Sequence, residues 1–281
     1  MREKRFDCFK YLRRALLLIF LIFNSFTVIS DQPCLGNHIS FAPGETVYYD
    51  AFYNWRFVWL RAGNVTFTLE ESQWRGDPAW HIKAKGITRS AYDRLFRVRD
   101  SFEVYIDTLS LEPFEFNRYT NEGGYTAHHH YIFNREDSVV NARISKREAP
   151  YEESSFEWPD CSFDMLSMIY QARNIDFSKY DMNDKIPISI LVDGEFYDLY
   201  IRYLGRGIAE TRNGRRFYCL KFSPMLVEGT IFEEGEGMTV WVTDDKNRVP
   251  ILVESDILVG SVKAVFRDAE GLRYPLSSEI K

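Results

Sequence analysis

Three histidines stand in a row in GGYTAHHHYIF: His128, His129 and His130. On an extended strand the side chains of His128 and His130 project to the same face, within reach of one metal ion. A usable centre needs a third ligand. Of the five histidines only His38 and His81 remain, and no carboxylate follows at matching short-range spacing. A polar strand face after the Gly123-Gly124 turn makes fewer demands, so His128 and His130 stay as weak metal candidates and no cofactor is expected. The second suggestive pair is Asp244-Asp245, between the apolar runs of TVWVTDDKNRVPILVES. Asp-Asp-Lys-Asn is a run of turn formers, and Lys246 and Arg248 can offset both carboxylates. The pair therefore reads as the tip of a hairpin. No GxSxG elbow presents a nucleophilic serine, and paired carboxylates cannot be chosen without a fold, so no catalytic residue is assigned.

Aromatic rings are the other source of chemistry. NWRFVWL would place Trp55, Phe57 and Trp59 on one face of an extended stretch, and Trp241 sits in the last strand-like run. Such rings stack on sugars or line a groove for an acyl chain, and Trp55, Trp59 and Trp241 are the candidate ligand-binding residues. The competing reading is core, the usual fate of large rings at period two.

The elements that would carry these residues are strands. Val65, Phe67 and Leu69 alternate with polar neighbours; so do Phe102, Val104 and Ile106, and then Ile186, Ile188, Ile190 and Val192. Asp193-Gly194 and Asn213-Gly214 interrupt such runs, the dipeptides best suited to tight hairpins. Pro250 lacks an N–H, which predicts an edge position or one facing away from the ladder. Helix is scarce. SAYDRLFR could form a short one, and WPDCSFDMLSMIYQARNID predicts a central helix over about 161–174, capped by Asp160 or Ser162. The expected fold is mostly β: an antiparallel meander forming a curved sheet or two packed sheets, with one short central helix. Strand sets over about 46–157 and 185–267 flank that helix, within a single β-rich domain over 31–281.

Residues 1–30 read as a signal peptide. Arg2, Lys4, Arg5, Lys10, Arg13 and Arg14 make a basic n-region, ALLLIFLIFNSFTVIS is short for a span, and Val28 and Ser30 suit a cut after Ser30. An uncleaved anchor is the alternative. Cys34 follows Asp31, Gln32 and Pro33, a poor context for lipid attachment. The leader holds six of the 35 basic and two of the 41 acidic side chains, leaving 29 against 39, or −10. That balance excludes nucleic acid as a partner and gives no electrostatic pull toward anionic lipid. Of the four cysteines, Cys34, Cys161 and Cys219 remain, enough for one disulfide in an oxidising compartment. Hydrophobic residues at 45% and aromatics at 16% supply a β-rich core.

Several stretches, in order, are similar to one family: ETVYYDAFYNWRFVWLRAGNVTFTLEES, VRDSFEVYIDTLSLEPFEFNRYTNEGGY, DCSFDMLSMIYQAR, RFYCLKFSP and VWVTDDKNRVPILVESDILVGSVKAVF. They resemble the exported bacterial proteins grouped as domain-of-unknown-function family 3108. The shared features are an early Ala-Gly before a β-run, an Asp-x-Leu-Ser helix, a Trp-x-x-Asp-Asp turn with a Pro-containing strand, and a Gly-Ser strand. The resemblance implies a β-rich protein of the periplasm or the periplasmic face of the Gram-negative outer membrane, with no catalytic residues to carry over. The expected function is non-catalytic: binding a lipid or glycan, or scaffolding an outer-membrane protein partner, with no membrane span after cleavage. The alternative is an enzyme acting on envelope glycans or lipids, metal-dependent through His128 and His130.

Overall fold

The computed structural model describes residues 34–36, 39–55, 58–94, 96–227, 234–257 and 260–281, all within one compact unit, Pro33–Lys281. The leader over residues 1–30 lies outside the described residues. Strands come in sequence order: β1 (Thr46–Trp55), β2 (Val58–Trp74), β3 (Asp77–Thr88), β4 (Arg99–Asp107), β5 (Pro113–Glu122), β6 (Tyr125–Asn134), β7 (Val139–Lys146) and β8 (Glu152–Glu157). A short β9 (Ser162–Asp164) leads into helix α1 (Met165–Ala172) and a 3₁₀ turn (Phe177–Lys179). Then follow β10 (Lys185–Val192), β11 (Glu195–Glu210), β12 (Arg216–Pro224), β13 (Met238–Thr243), β14 (Pro250–Asp256), β15 (Ser261–Glu270) and β16 (Glu279–Ile280).

All the strands belong to one sheet, ordered β8 to β1 and then β15 to β9, with β16 added beside β12. Two meanders are thus joined by one antiparallel seam, β1 on β15, where Thr46 faces Glu270 and Asn54 faces Ser261. Of the two arrangements left open by the alternation, the curved single sheet is the one formed. It does not close by hydrogen bonds. Its two ends meet through side chains instead: the turn between β10 and β11 reaches β5, where Asp193 pairs with Arg118 at 2.8 Å, and Phe196 of β11 packs edge-on against Phe156 of β8. Leu191 of β10 is buried in the same cluster as Val104, Phe116 and Tyr131 of the first meander.

The helix packs inside the curl. Leu166 and Tyr170 join the core of the first meander, and Met168 joins the core of the second. Its N-cap is Asp164, not Asp160 or Ser162. The Asp164 carboxylate accepts from the N–H groups of Leu166 at 2.8 Å and Ser167 at 3.0 Å, and from the Ser167 hydroxyl. Residues Ser162 to Asp164 pair with β10 in parallel, so the chain enters the helix later than spacing alone predicts. Just past the helix, Arg173 sits in a fully buried ion pair with Glu45, its two guanidinium nitrogens at 2.5 and 2.9 Å from the carboxylate oxygens, and donates to the Asn247 carbonyl. This bond set ties the N-terminal segment, the helix and the β13–β14 turn together. A disulfide joins Cys34 to Cys161, and Cys219 is free and buried.

Other local expectations divide. Asp193-Gly194 forms a two-residue hairpin with both residues at positive φ, 50° and 94°. Asn213-Gly214 belongs to a longer connection, Thr211 to Arg215, in which Gly214 alone of the pair takes positive φ. SAYDRLFR makes hydrogen-bonded turns rather than a helix over its described residues. Pro250 lies in an interior strand, but at its first residue and opposite a bulge, where the missing N–H costs no ladder bond.

Candidate functional site

Curling a sheet around one short helix leaves space that the helix does not fill. A cavity of about 510 Å³ opens between the helix and the inner face of the second meander. Its wall is overwhelmingly aliphatic and thioether: Ile188 and Ile190 of β10, Leu199 of β11, Val240 of β13, and Met165 and Met168 of the helix. Tyr49, Phe67 and Phe102 of the first meander complete it. A volume of this order, lined by apolar side chains with few polar groups, is the usual form of a small-molecule site. Methionines are adaptable wall material, since their thioether chains repack around differing shapes.

Polar groups gather where the two ends of the sheet meet. Arg118, Thr120 and Glu122 of β5 line the cavity together with Asp193. They share a face because β5 alternates, with buried Phe116 in the same phase. Arg118 pairs with Asp193 through one guanidinium nitrogen, its Nε is buried without a partner, and its guanidinium lies 5.8 Å from the centre of the Phe102 ring. His129, which projects inward beside Arg118, has its Nε2 3.3 Å from Asp193. Burial, with Arg118 nearby, pushes its pKa down to about 4, so it is neutral at pH 7. Glu122 is different. Burial and the adjacent Asp100, with which it hydrogen-bonds carboxyl to carboxyl, push its pKa up to about 7. Asp100, also raised by burial, accepts from the Asn121 N–H at 3.0 Å.

Apart from Trp55, the residues marked by the sequence lie elsewhere. His128 and His130 do share a face, but it is the outer one. His128 meets Tyr151 at 2.6 Å and Asn117 at 3.2 Å, and His130 meets Glu115 at 2.9 Å. Among the described residues no group of three His, Cys, Asp or Glu side chains is placed to hold a metal. Trp59 and Trp241 are not in the cavity wall. Trp59 carries the Lys263 ammonium 4.4 Å above its ring. Trp241 lies across the sheet from cavity-lining Val240 and Val242, packed so closely on Gly207 that a Cβ there would sit 2.6 Å from its ring. The side chain of Trp55 lies outside the described residues. Asp244 and Asp245 occupy the β13–β14 connection: Arg206 donates to Asp244 at 2.8 Å, and Asp245 accepts from the Asn247 N–H and the Thr243 hydroxyl. They build a turn.

Asp100 and Glu122 escaped notice in the sequence because isolated acids in VRDSF and NEGGY resemble any solvated strand end. The available signal was their phase, since Glu122 falls on the face of Phe116 in a strand with neighbours on both sides.

A family model described as "Protein of unknown function (DUF3108)" matches residues 46–267. The chain belongs to this family. The DUF3108 match runs from the first residue of β1 to within the last long strand, so it takes in both meanders and the seam between them. No match is found among the curated proteins. Among solved structures, the chain is similar to a β-barrel-like protein of domain of unknown function DUF1849 from Brucella abortus, at 6% identity and a TM-score of 0.51, covering 80% of this chain and 96% of that one. At that identity the likeness concerns the fold alone. No helix among the described residues is long and apolar enough to cross a membrane, which says nothing about strands.

The motifs that carry the family likeness now have physical roles. Gly63 of the Ala-Gly pair lies where β2 bulges against β1, and a Cβ there would be 2.3 Å from the Ile87 carbonyl oxygen of β3. Asp164 of Asp-x-Leu-Ser caps the helix, and Ser167 donates to its carboxylate. Trp241 covers Gly207, and the two aspartates shape the turn that receives Arg173 through the Asn247 carbonyl. They build the frame around the cavity.

Proposed function

We propose that this protein is an exported, non-catalytic binding protein of the bacterial cell envelope, which holds the apolar chain of an amphiphile in the cavity between its helix and its second meander. The observation that carries the reading is the cavity wall: Ile188, Ile190, Leu199, Val240 and Met168 offer dispersion contacts and almost no hydrogen bonds. A glycan would leave its hydroxyls unpaired against such a wall, at a cost of about 1–3 kcal/mol each. An acyl or alkyl chain leaves nothing unpaired. The basic n-region and short apolar stretch of the first thirty residues support export, and an oxidising compartment suits the Cys34–Cys161 bond. The periplasm, or the periplasmic face of the outer membrane, is the compartment that fits.

Native mass spectrometry of protein purified from its own host should reveal a retained apolar molecule. After its removal, the neutral fluorescent probe N-phenyl-1-naphthylamine should bind and brighten. Ile188→Trp, which fills the cavity from its wall, should weaken probe binding at least tenfold in a protein that still unfolds cooperatively. Unchanged probe affinity in a folded Ile188→Trp protein refutes the reading.

A further inference from the structure

The cavity's polar end is not electrically balanced. Several charged groups approach it, and Lys146 of β7 acts on His129 from the neighbouring strand. Arg118 and Asp193 form a pair at 2.8 Å, close to neutral together. Arg173 and Glu45 form a second pair, fully buried and saturated by each other and by backbone carbonyls. His129 is neutral because burial disfavours its cation. What remains is Glu122 on the cavity wall and Asp100 beside it on β4, two carboxyls that form no ion pair among the described residues. Arg118 acts on both and favours their ionisation, but one of its guanidinium nitrogens is paired with Asp193. Two neighbouring carboxyls in a partly buried site keep a proton between them, because both cannot ionise there without a counter-charge.

We propose that this polar end receives the cationic amine head of a single-chain amphiphile, whose alkyl chain occupies the apolar cavity. The proposal rests on the binding function above and names the class of ligand. A protonated amine brings the positive charge that the carboxyl pair lacks, and its N–H groups can donate to Glu122 on the cavity wall, which is hydrogen-bonded to Asp100 behind it, in strong charge-assisted bonds. Thr120, buried between Arg118 and Glu122 on the same strand face, adds an uncharged hydroxyl acceptor. A carboxylate or phosphate head would meet two acids, and only those Arg118 donors that Asp193 does not take. The chemistry separates by head group alone.

The test uses the mature protein at pH 7.5 and three chain-matched ligands below their micelle concentrations: dodecylammonium, dodecanol and dodecanoate. Each competes with N-phenyl-1-naphthylamine. Dodecylammonium should bind at least tenfold tighter than dodecanol, and dodecanoate should be weakest. In Glu122→Gln the ammonium-to-alcohol ratio should fall below two, and Asp100→Asn should lower it in the same direction, so that a folding defect in one variant leaves the other to decide. Dodecanoate binding as tightly as dodecylammonium overturns the head-group assignment while leaving the apolar cavity as a binding site. A ratio unchanged in both variants overturns the role of the carboxyl pair. If none of the three displaces a probe that itself responds to Ile188→Trp, the amphiphile reading fails along with this one.

Discussion

The carboxyl pair should leave a mark on stability that needs no ligand. Glu122 titrates near 7 in the folded protein against an ordinary value of 4.5. Between those two pH values the folded chain keeps a proton that the unfolded chain has lost. Stability then falls as pH rises, because it increases with pH only where the unfolded state binds more protons. At full weight the gap corresponds to about 3 kcal/mol, at about 1.4 kcal/mol per pH unit. Glu122 is only partly buried, so solvent screening reduces the expected loss to about 1–2 kcal/mol. Glu122→Gln keeps a hydrogen-bond donor toward Asp100 and cannot ionise. Urea unfolding at pH 5 and pH 8 should show the parent losing about 1–2 kcal/mol more than the variant between the two. Asp164, fully buried and pushed up to about 6 by that burial, adds a downward slope of its own. It does so equally in both proteins, so the difference reports on Glu122 together with its hydrogen-bonded partner Asp100. Equal losses in parent and variant would refute the reasoning.

Other outcomes follow from the frame. Glu45→Ala strands the buried Arg173 guanidinium without its partner, and should cost about 3–5 kcal/mol in chemical denaturation. Reduction of Cys34–Cys161, whose cysteines are 127 residues apart, removes a constraint worth up to about 5 kcal/mol on chain entropy, so the melting temperature should drop on adding dithiothreitol. Cys219, pushed up to about 12 by burial, should resist thiol reagents until the protein unfolds. Gly63→Ala forces its strand away from β3, and should cost about 1–3 kcal/mol by thermal melt.

Much of the frame was legible in the chain. Alternation in SFEVYID places Val104 and Ile106 inside, where both are completely buried or nearly so, and Asp193-Gly194 turns where it should. These signals are local. A strand's period and a turn's φ preference depend on residues within a few positions. What could not be read is the juxtaposition of distant strands. The seam between β1 and β15, the overlap of Asp193 with Arg118 and the resulting cavity depend on curvature that no short segment encodes. The same limit leaves the placing of the aromatics unread. Trp241 has the chemistry of a ligand platform, but Gly207 on β11, thirty-four positions away, offers it a seat on the sheet's other face. His128 and His130 share a face as their spacing requires, while only the strand's place in the curl decides that it is the outer one.

The seam carries a consequence for how the chain reaches this state. Each meander is built of neighbouring hairpins that can form as soon as their residues are available, and local contacts of this kind form fast. β1 can pair with β2 early, yet its other edge waits for β15, whose residues come more than two hundred positions later. Until then a ten-residue strand, TVYYDAFYNW, shows an open row of backbone donors and acceptors flanked by aromatic side chains. Such an edge is a template for pairing with any other strand that arrives first. The late step is therefore the joining of two largely formed halves, and the danger in it is intermolecular. Expression yield and refolding should depend on chain concentration far more than the stability of the finished sheet would suggest, with the first strand of the family region as the point of vulnerability.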